Sequence, residues 1–188
     1  ILYFNMNYSQ DFILGNFLSS TNNINQSLNQ EVINEDVYIF GDYLGTIEVG
    51  VDYTANVRDA YLVKYNSEYK IDWFKQIGGG GIDFGSAMTT DGNYLYLTGG
   101  FQQDITFGTT TLNSSGFLDI YLAKYDLSGK ELWAKRIAYN EGRQFVSSIV
   151  IDKNGDILVA GYYRDSIAFP NNDRYINAYG LYITKLDN

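Results

Sequence analysis

The side chains in this sequence that could do chemistry are acids, arginines, amides and tyrosines. Histidine and cysteine are both absent from its 188 residues. That removes the commonest general base, the Ser–His and Cys–His nucleophile pairs, thiolate metal sites, most zinc sites and all disulfides. What is left is carboxylate chemistry. Asp83 and Glu141 read as loop acids at equivalent places in two repeats. Glycoside hydrolysis needs two carboxyls about 5–10 Å apart on a sugar-binding cleft. Nothing around either acid marks it as perturbed, so a non-catalytic role is expected, with no cofactor.

Four further motifs have a chemical reading and a structural one. Asp152-Lys153-Asn154-Gly155-Asp156 spaces oxygens as a calcium loop would, but it lacks the longer loop and terminal Glu of an EF-hand. It is read as a hairpin turn, and no metal is expected. Gly78-Gly79-Gly80-Gly81 looks like a phosphate cradle but has no Gly-Lys-Ser/Thr after it. It is read as a flexible connection. Lys64, Lys124 and Lys185 recur at the same phase. Each is expected to pack its stem between strands and bring its amine to a carboxylate such as Asp59 or Asp119, rather than to form a ring of cations. Trp73 and Trp133 could stack on sugars, but are expected to anchor outer strands.

These residues are positioned by a repeat. Asp59-Ala60-Tyr61-Leu62-Val63-Lys64-Tyr65-Asn66 returns as Asp119-Ile120-Tyr121-Leu122-Ala123-Lys124-Tyr125-Asp126, and more weakly from Gly180 to Asp187. Trp73 to Ile77 matches Trp133 to Ile137, after a polar turn. Upstream, Asp36 to Tyr43, Asn93 to Phe101 and Gly155 to Tyr163 are apolar runs ending in Gly-x-aromatic. A further strand precedes two of them, Ser86–Thr89 and Ser147–Ile151, with Asp91-Gly92 and Asn154-Gly155 as hairpin turns. Tyr (18), Phe (11) and Gly (19) against one Pro suit pleated strands joined by tight turns. Four short strands, A to D, in a unit of roughly 60 residues describe a propeller blade. The C strands are apolar on both faces, as a sheet stacked between two others must be. The fold expected is all-β, a propeller of about three four-stranded blades.

The motifs resemble the SBBP family of bacterial propeller-type repeats. Residues 83–137 carry the resemblance through Asp91-Gly92-Asn93, Thr98-Gly99-Gly100-Phe101, Asp119 to Asp126, Gly129 and Trp133. The first repeat departs from the pattern, with Asn66-Ser67-Glu68-Tyr69 where a Gly is expected. The resemblance implies an exported, non-catalytic module of a secreted or cell-surface bacterial protein.

The expected divisions are 1–35 (strands and a polar loop of an incomplete blade), 36–82 (strands B, C and D of the first recognisable blade), 83–138 (a second) and 139–188 (a third without its outer strand). In the first 35 residues, Leu2–Met6 is read either as a strand D closing the last blade or as part of a strand A before a B strand at Phe12–Phe17; Ser19 to Gln30 is a loop either way. Three repeats fall short of a ring of four to eight blades. The chain is expected to be a piece of a longer protein; a six-bladed ring of two copies and an open array capped by a partner are the alternatives.

Thirteen basic against 22 acidic side chains, a net charge of −9, exclude nucleic acid and anionic membrane as partners. No apolar run reaches the 18 or so residues of a spanning helix. By fold-level analogy, the D-to-A and B-to-C loops of a propeller emerge together on one face. Here they hold Asp83, Tyr139, Asn140, Glu141 and Arg143, with Gln102, Gln103, Asp104, Arg164 and Asp165. Such side chains suit hydrogen bonding to peptide or sugar. The function expected is protein or glycan binding at an extracellular or cell-surface location, with an oligomeric lectin and a glycan-active enzyme as alternatives.

Overall fold

In a computed structural model the described residues, 23–24, 29–170 and 172–187, form strands and turns with no helix. The first sheet holds β1 (Asn23–Ile24), β2 (Asn29–Ile33), β3 (Asp36–Glu48), β4 (Asp52–Tyr65) and β5 (Ile71–Ile77). The second holds β6 (Asp83–Thr90), β7 (Tyr94–Phe101), β10 (Asp119–Asp126) and β11 (Glu131–Ala138), with a small hairpin of β8 (Asp104–Thr106) and β9 (Thr111–Asn113) between its middle strands. The third holds β12 (Arg143–Ile151), β13 (Ile157–Arg164) and β16 (Gly180–Leu186), with the hairpin β14 (Ser166–Phe169) and β15 (Asn172–Asn177) in the matching place. Neighbours within each sheet are antiparallel and run in the order A-B-C-D in the first two sheets and A-B-C in the third, the meander of a propeller blade.

One expectation is corrected. The run Ser19 to Gln30 is not all loop: β1 and β2 both pair with β3 and give the first blade an inner strand. The β2–β3 turn is Asn34-Glu35, with φ of 51° and 71°. Two left-handed residues in succession match the twist of the strands they join. Leu2–Met6 and Phe12–Phe17 lie outside the described residues.

Period-2 alternation divides each blade between its neighbours. Ala60 and Leu62 face the second blade and meet Met88, Leu95, Leu97 and Tyr121. Ile120 and Leu122 face the third blade and meet Ile149, Ile157 and Val159. On the other face of β4, Tyr61, Val63 and Tyr65 join Tyr43, Ile47 and Phe74. Leu62, Leu97 and Leu122 have no exposed surface, so each buries about 2 kcal/mol of transfer free energy between sheets. The register repeats once more with no sheet over it among the described residues: Leu181 and Ile183, in line with Ile120 and Leu122, are 86% and 74% exposed.

A second repeated device fixes the inner strands. Bulges at Gly85–Ala87 and Val146–Ser148 turn the carbonyls of Phe84 and Phe145 inward. Tyr121 and Tyr182 each donate their hydroxyl to that carbonyl, at 3.1 Å. A Cβ at Gly99 or Gly161 would collide with the same oxygen, which is why the Gly-x-aromatic motif needs its glycine.

Candidate functional site

The connections between blades are clasped by the small hairpins. Thr106 N–H donates to Gly78 O at 3.0 Å, and Tyr139 and Ala168 exchange both backbone hydrogen bonds, at 3.0 and 2.7 Å. The D-to-A and B-to-C segments therefore come together at one end of the sheets. Gly78–Gly81 is not the flexible connection its composition suggests. A Cβ at Gly79 would run into the Asp104 carbonyl, and one at Gly81 into the Gln102 carbonyl. Glycine is required there because two backbones touch.

Each junction is built on a buried carboxylate of strand C, Asp59 within β4 and Asp119 at the start of β10. Asp119 has no exposed surface. It accepts from Ser115 N–H at 2.8 Å and from the Arg136 guanidinium at 3.1 Å. Arg136 also donates to Asn113 O at 3.1 Å and lies 4.3 Å from the centre of the Tyr139 ring. In the first blade Asp59 takes the place of Asp119, Gln76 that of Arg136 and Gly78 that of Tyr139. Gln76 donates to Asp59 and to Thr54 O. Burial pushes the carboxyls of Asp59 and Asp119 up; the Gln76 amide opposes it in one, the Ser115 N–H and the Arg136 charge in the other. Where Arg136 and Tyr139 fill the second junction, the first has a cleft of about 490 Å³ lined by Asn56, Asp59, Gln76, Gly78, Gly79 and Thr106.

Asp83 lies behind this cleft with no exposed surface. Its Oδ2 accepts from Gly79 N–H at 2.8 Å, and its Oδ1 has no hydrogen-bond partner among the described residues. Burial, then the nearby charge of Asp59, push it up to about 8. Asp83 pairs with Phe101 as Gln144 pairs with Tyr163, so its equivalent in the third blade is Gln144 and not Glu141. Gln144 is likewise fully buried and donates to Ser166 O at 2.7 Å. Asp83 and Glu141 do not form a matched pair of loop acids.

The other candidates divide between the two junctions. Gln102, Gln103 and Asp104 cover Gly79–Gly81, with Gln103 exposed at φ 59° and Asp104 Oδ1 accepting from Gly80 N–H at 3.4 Å. Tyr139, Asn140, Glu141 and Arg143 lie with Arg164 and Asp165 at the second junction. There Arg143 pairs with Arg164 in register, and its guanidinium lies 4.4 Å from the Phe117 ring centre. Glu141, Arg143, Arg164 and Asp165 are exposed, while Tyr139 and Asn140 are half-buried. Asp59, Gln76, Asp119 and Arg136 complete the junctions and were missed. Their signal is the repeat itself, Trp-Phe-Lys-Gln against Trp-Ala-Lys-Arg, three residues beyond each tryptophan.

Lys64 and Lys185 have carboxylate partners, but not Asp59 or Asp119. Lys64 meets Asp36 at 2.8 Å and Asp72 at 3.0 Å, and Lys185 meets Asp156 at 2.6 Å and Asp152 at 3.1 Å. Asp59 lies five residues from Lys64 on one strand, hence on the opposite face and about 16 Å away. Lys124 lies 4.2 Å from the Tyr94 ring centre. Asp152 Oδ1 caps its own turn through the N–H groups of Asn154 and Asp156. Trp73 and Trp133 are half-buried in the interblade clusters, and Trp73 packs against Tyr38.

Among known sequences, 120 residues covering 54% of this chain are 27% identical to part of an uncharacterized WD repeat-containing protein, L264, of Acanthamoeba polyphaga mimivirus. The chain spans about 9% of that protein's length. No protein-family model matches the chain. With the sheet order, this similarity fits a propeller-like fold of stacked four-stranded blades.

Proposed function

We propose that this chain is a non-catalytic protein-binding module, which engages its partner at the loop end where the interblade connections and small hairpins meet. The single observation that carries the reading is the cleft of about 490 Å³ at the first junction, walled by backbone glycines and rimmed by Asn56, Asp59, Gln76 and Thr106. Packed glycines give a rigid backbone wall that needs no ordering on binding. The two tryptophans that would serve as sugar platforms are committed to interblade packing, which favours peptide over glycan. Export to a cell surface belongs to the same proposal and rests on the repeat resemblance alone. A further blade, from a longer chain or a second copy, is the proposed neighbour of the exposed Leu181–Ile183 face.

Selection of a random peptide display library on the immobilised chain tests the binding reading. Enriched peptides are expected to lose binding to Gln103→Ala/Asp104→Ala at the loop end and to keep it in Ser67→Ala/Ser128→Ala at the opposite turns. Failure to enrich any peptide, or equal loss in both variants, would overturn it. A glycan array showing saturable binding sensitive to the loop-end variant would replace it with the lectin reading.

A further inference from the structure

We infer that the cleft at the first junction is a receptor for a guanidinium group, the end of an arginine side chain presented by the partner. The inference rests on the binding-module reading and names the chemistry of its ligand.

The argument is a comparison of the chain with itself. At the second junction a guanidinium is bound in cis: Arg136 bridges buried Asp119 and the Asn113 carbonyl and stacks on Tyr139. A buried carboxylate, a carbonyl and a flat surface make a built arginine site. At the first junction the same backbone carries the same carboxylate, Asp59, and a carbonyl, Thr54 O, in the corresponding role. The cation is missing. Gln76 reaches both groups but is neutral, and Gly78 leaves empty the volume that Tyr139 fills.

Two further observations show that this junction is short of positive charge. Among the described residues no ion pair engages Asp59, Asp83 or Asp104, although the Asp59 and Asp104 charges both act on Asp83. Asp83, wholly buried behind Gly79, stands as a second acid near Asp59, at the position where the second junction has a neutral glutamine. Asp59 has only the neutral Gln76 amide against its carboxylate, and a cation entering from the cleft supplies the counter-charge that Arg136 gives Asp119. The described residues contain no group of three acids placed to hold a metal ion. A planar guanidinium, less strongly hydrated than an ammonium, fits better than lysine and can lie along the Gly78–Gly80 backbone.

The test uses N-acetyl-arginine methylamide as probe, with the citrulline compound as a neutral isostere and the lysine compound as a second cation. Titration of the 15N-labelled chain is expected to shift the amides of Gly78, Gly79 and Gly80 and the side-chain amide of Gln76. Arginine should bind about tenfold more tightly than citrulline, since a charge-assisted bond is lost. Gln76→Arg should supply the guanidinium in cis, raise the thermal midpoint and abolish the response. Shifts of equal size from citrulline, or a response that survives Gln76→Arg in a folded chain, would overturn the inference. If peptides selected at the loop end bind regardless of arginine content, the binding module stands and the guanidinium site falls. If no peptide is selected at all, the module reading itself fails.

Discussion

Replacing Asp83 by asparagine should stabilise the protein at neutral pH and flatten its dependence on pH. In the folded chain burial holds the Asp83 carboxyl protonated up to about pH 8, whereas in the unfolded chain it ionises near 3.9. Between those values the folded state binds more protons than the unfolded one. Stability therefore falls as pH rises, by about 1.4 kcal/mol per pH unit for a single group. From about pH 5 to about pH 7 the loss approaches 2.7 kcal/mol as an upper bound, because the unfolded group is not fully ionised at the lower pH and the folded one begins to ionise at the higher. The window isolates groups of this kind. Asp91, Asp126, Glu131 and Asp152 are held below their ordinary values, and their contribution is complete above about pH 5. Asparagine keeps the shape and an acceptor for Gly79 N–H while removing the charge. Urea unfolding at both pH values should give Asp83→Asn a shallower fall than wild type, with a residual slope from Asp59 and Asp119, whose carboxyls burial also raises. Equal slopes in the two proteins would show that Asp83 is not the buried proton acceptor described here.

Three other outcomes follow from the same structure. Tyr69 holds a left-handed φ of 58° where the matching turn has Gly129 at 80°, so Tyr69→Gly should raise stability by about 0.5–1 kcal/mol in chemical denaturation; a loss would show that the exposed ring contributes more than its backbone strain costs. Tyr121→Phe removes the hydroxyl bond to Phe84 O and should cost about 1–2 kcal/mol by leaving a buried carbonyl short of a donor, measured against Tyr94→Phe as an exposed control. Leu181→Thr/Ile183→Thr should leave stability within about 0.5 kcal/mol, since both side chains are exposed, while reducing self-association in light scattering; unchanged scattering would argue against a sticky open face.

The repeat, strand order and hairpin turns were legible because their signals are local. Gly-x-aromatic motifs, period-2 alternation and Asp-Gly or Asn-Gly turns are short-range patterns. What was not legible depends on long-range register. Asp83 stands after four glycines and reads as a loop acid, yet its pairing with Phe101 makes it the buried first residue of a strand. The third blade carries the same bulge at Val146–Ser148, so the register makes Gln144 its equivalent. The partners of the lysines were missed for the same reason: Asp36 and Asp72 come from strands on either side of Lys64. Asn29–Ile33 was hidden by polar composition, although Asn34-Glu35 before an apolar run offered a hairpin signal.

The two junctions separate what the repeat needs from what it leaves open. Tyr121 and Tyr182, Gly99 and Gly161, and Asp59 and Asp119 recur because the bulge, the close approach and the pairing of strands C and D recur with them. Gln76 against Arg136, Gly78 against Tyr139 and Asp83 against Gln144 differ without disturbing that frame. At these three places the second junction has a paired charge, a filled volume and a buried neutral amide whose donor is satisfied, although Asp119 and Gln144 each keep one buried oxygen without a partner among the described residues. The first junction has the opposite choice at all three, in side chains that meet around one cleft. A single departure would be a tolerated defect. Three departures that converge on one concave space beside the Asp59 carboxylate leave local stability unclaimed where a ligand could supply it, and local departures from the stability rules are what a binding site embedded in a repeat should produce.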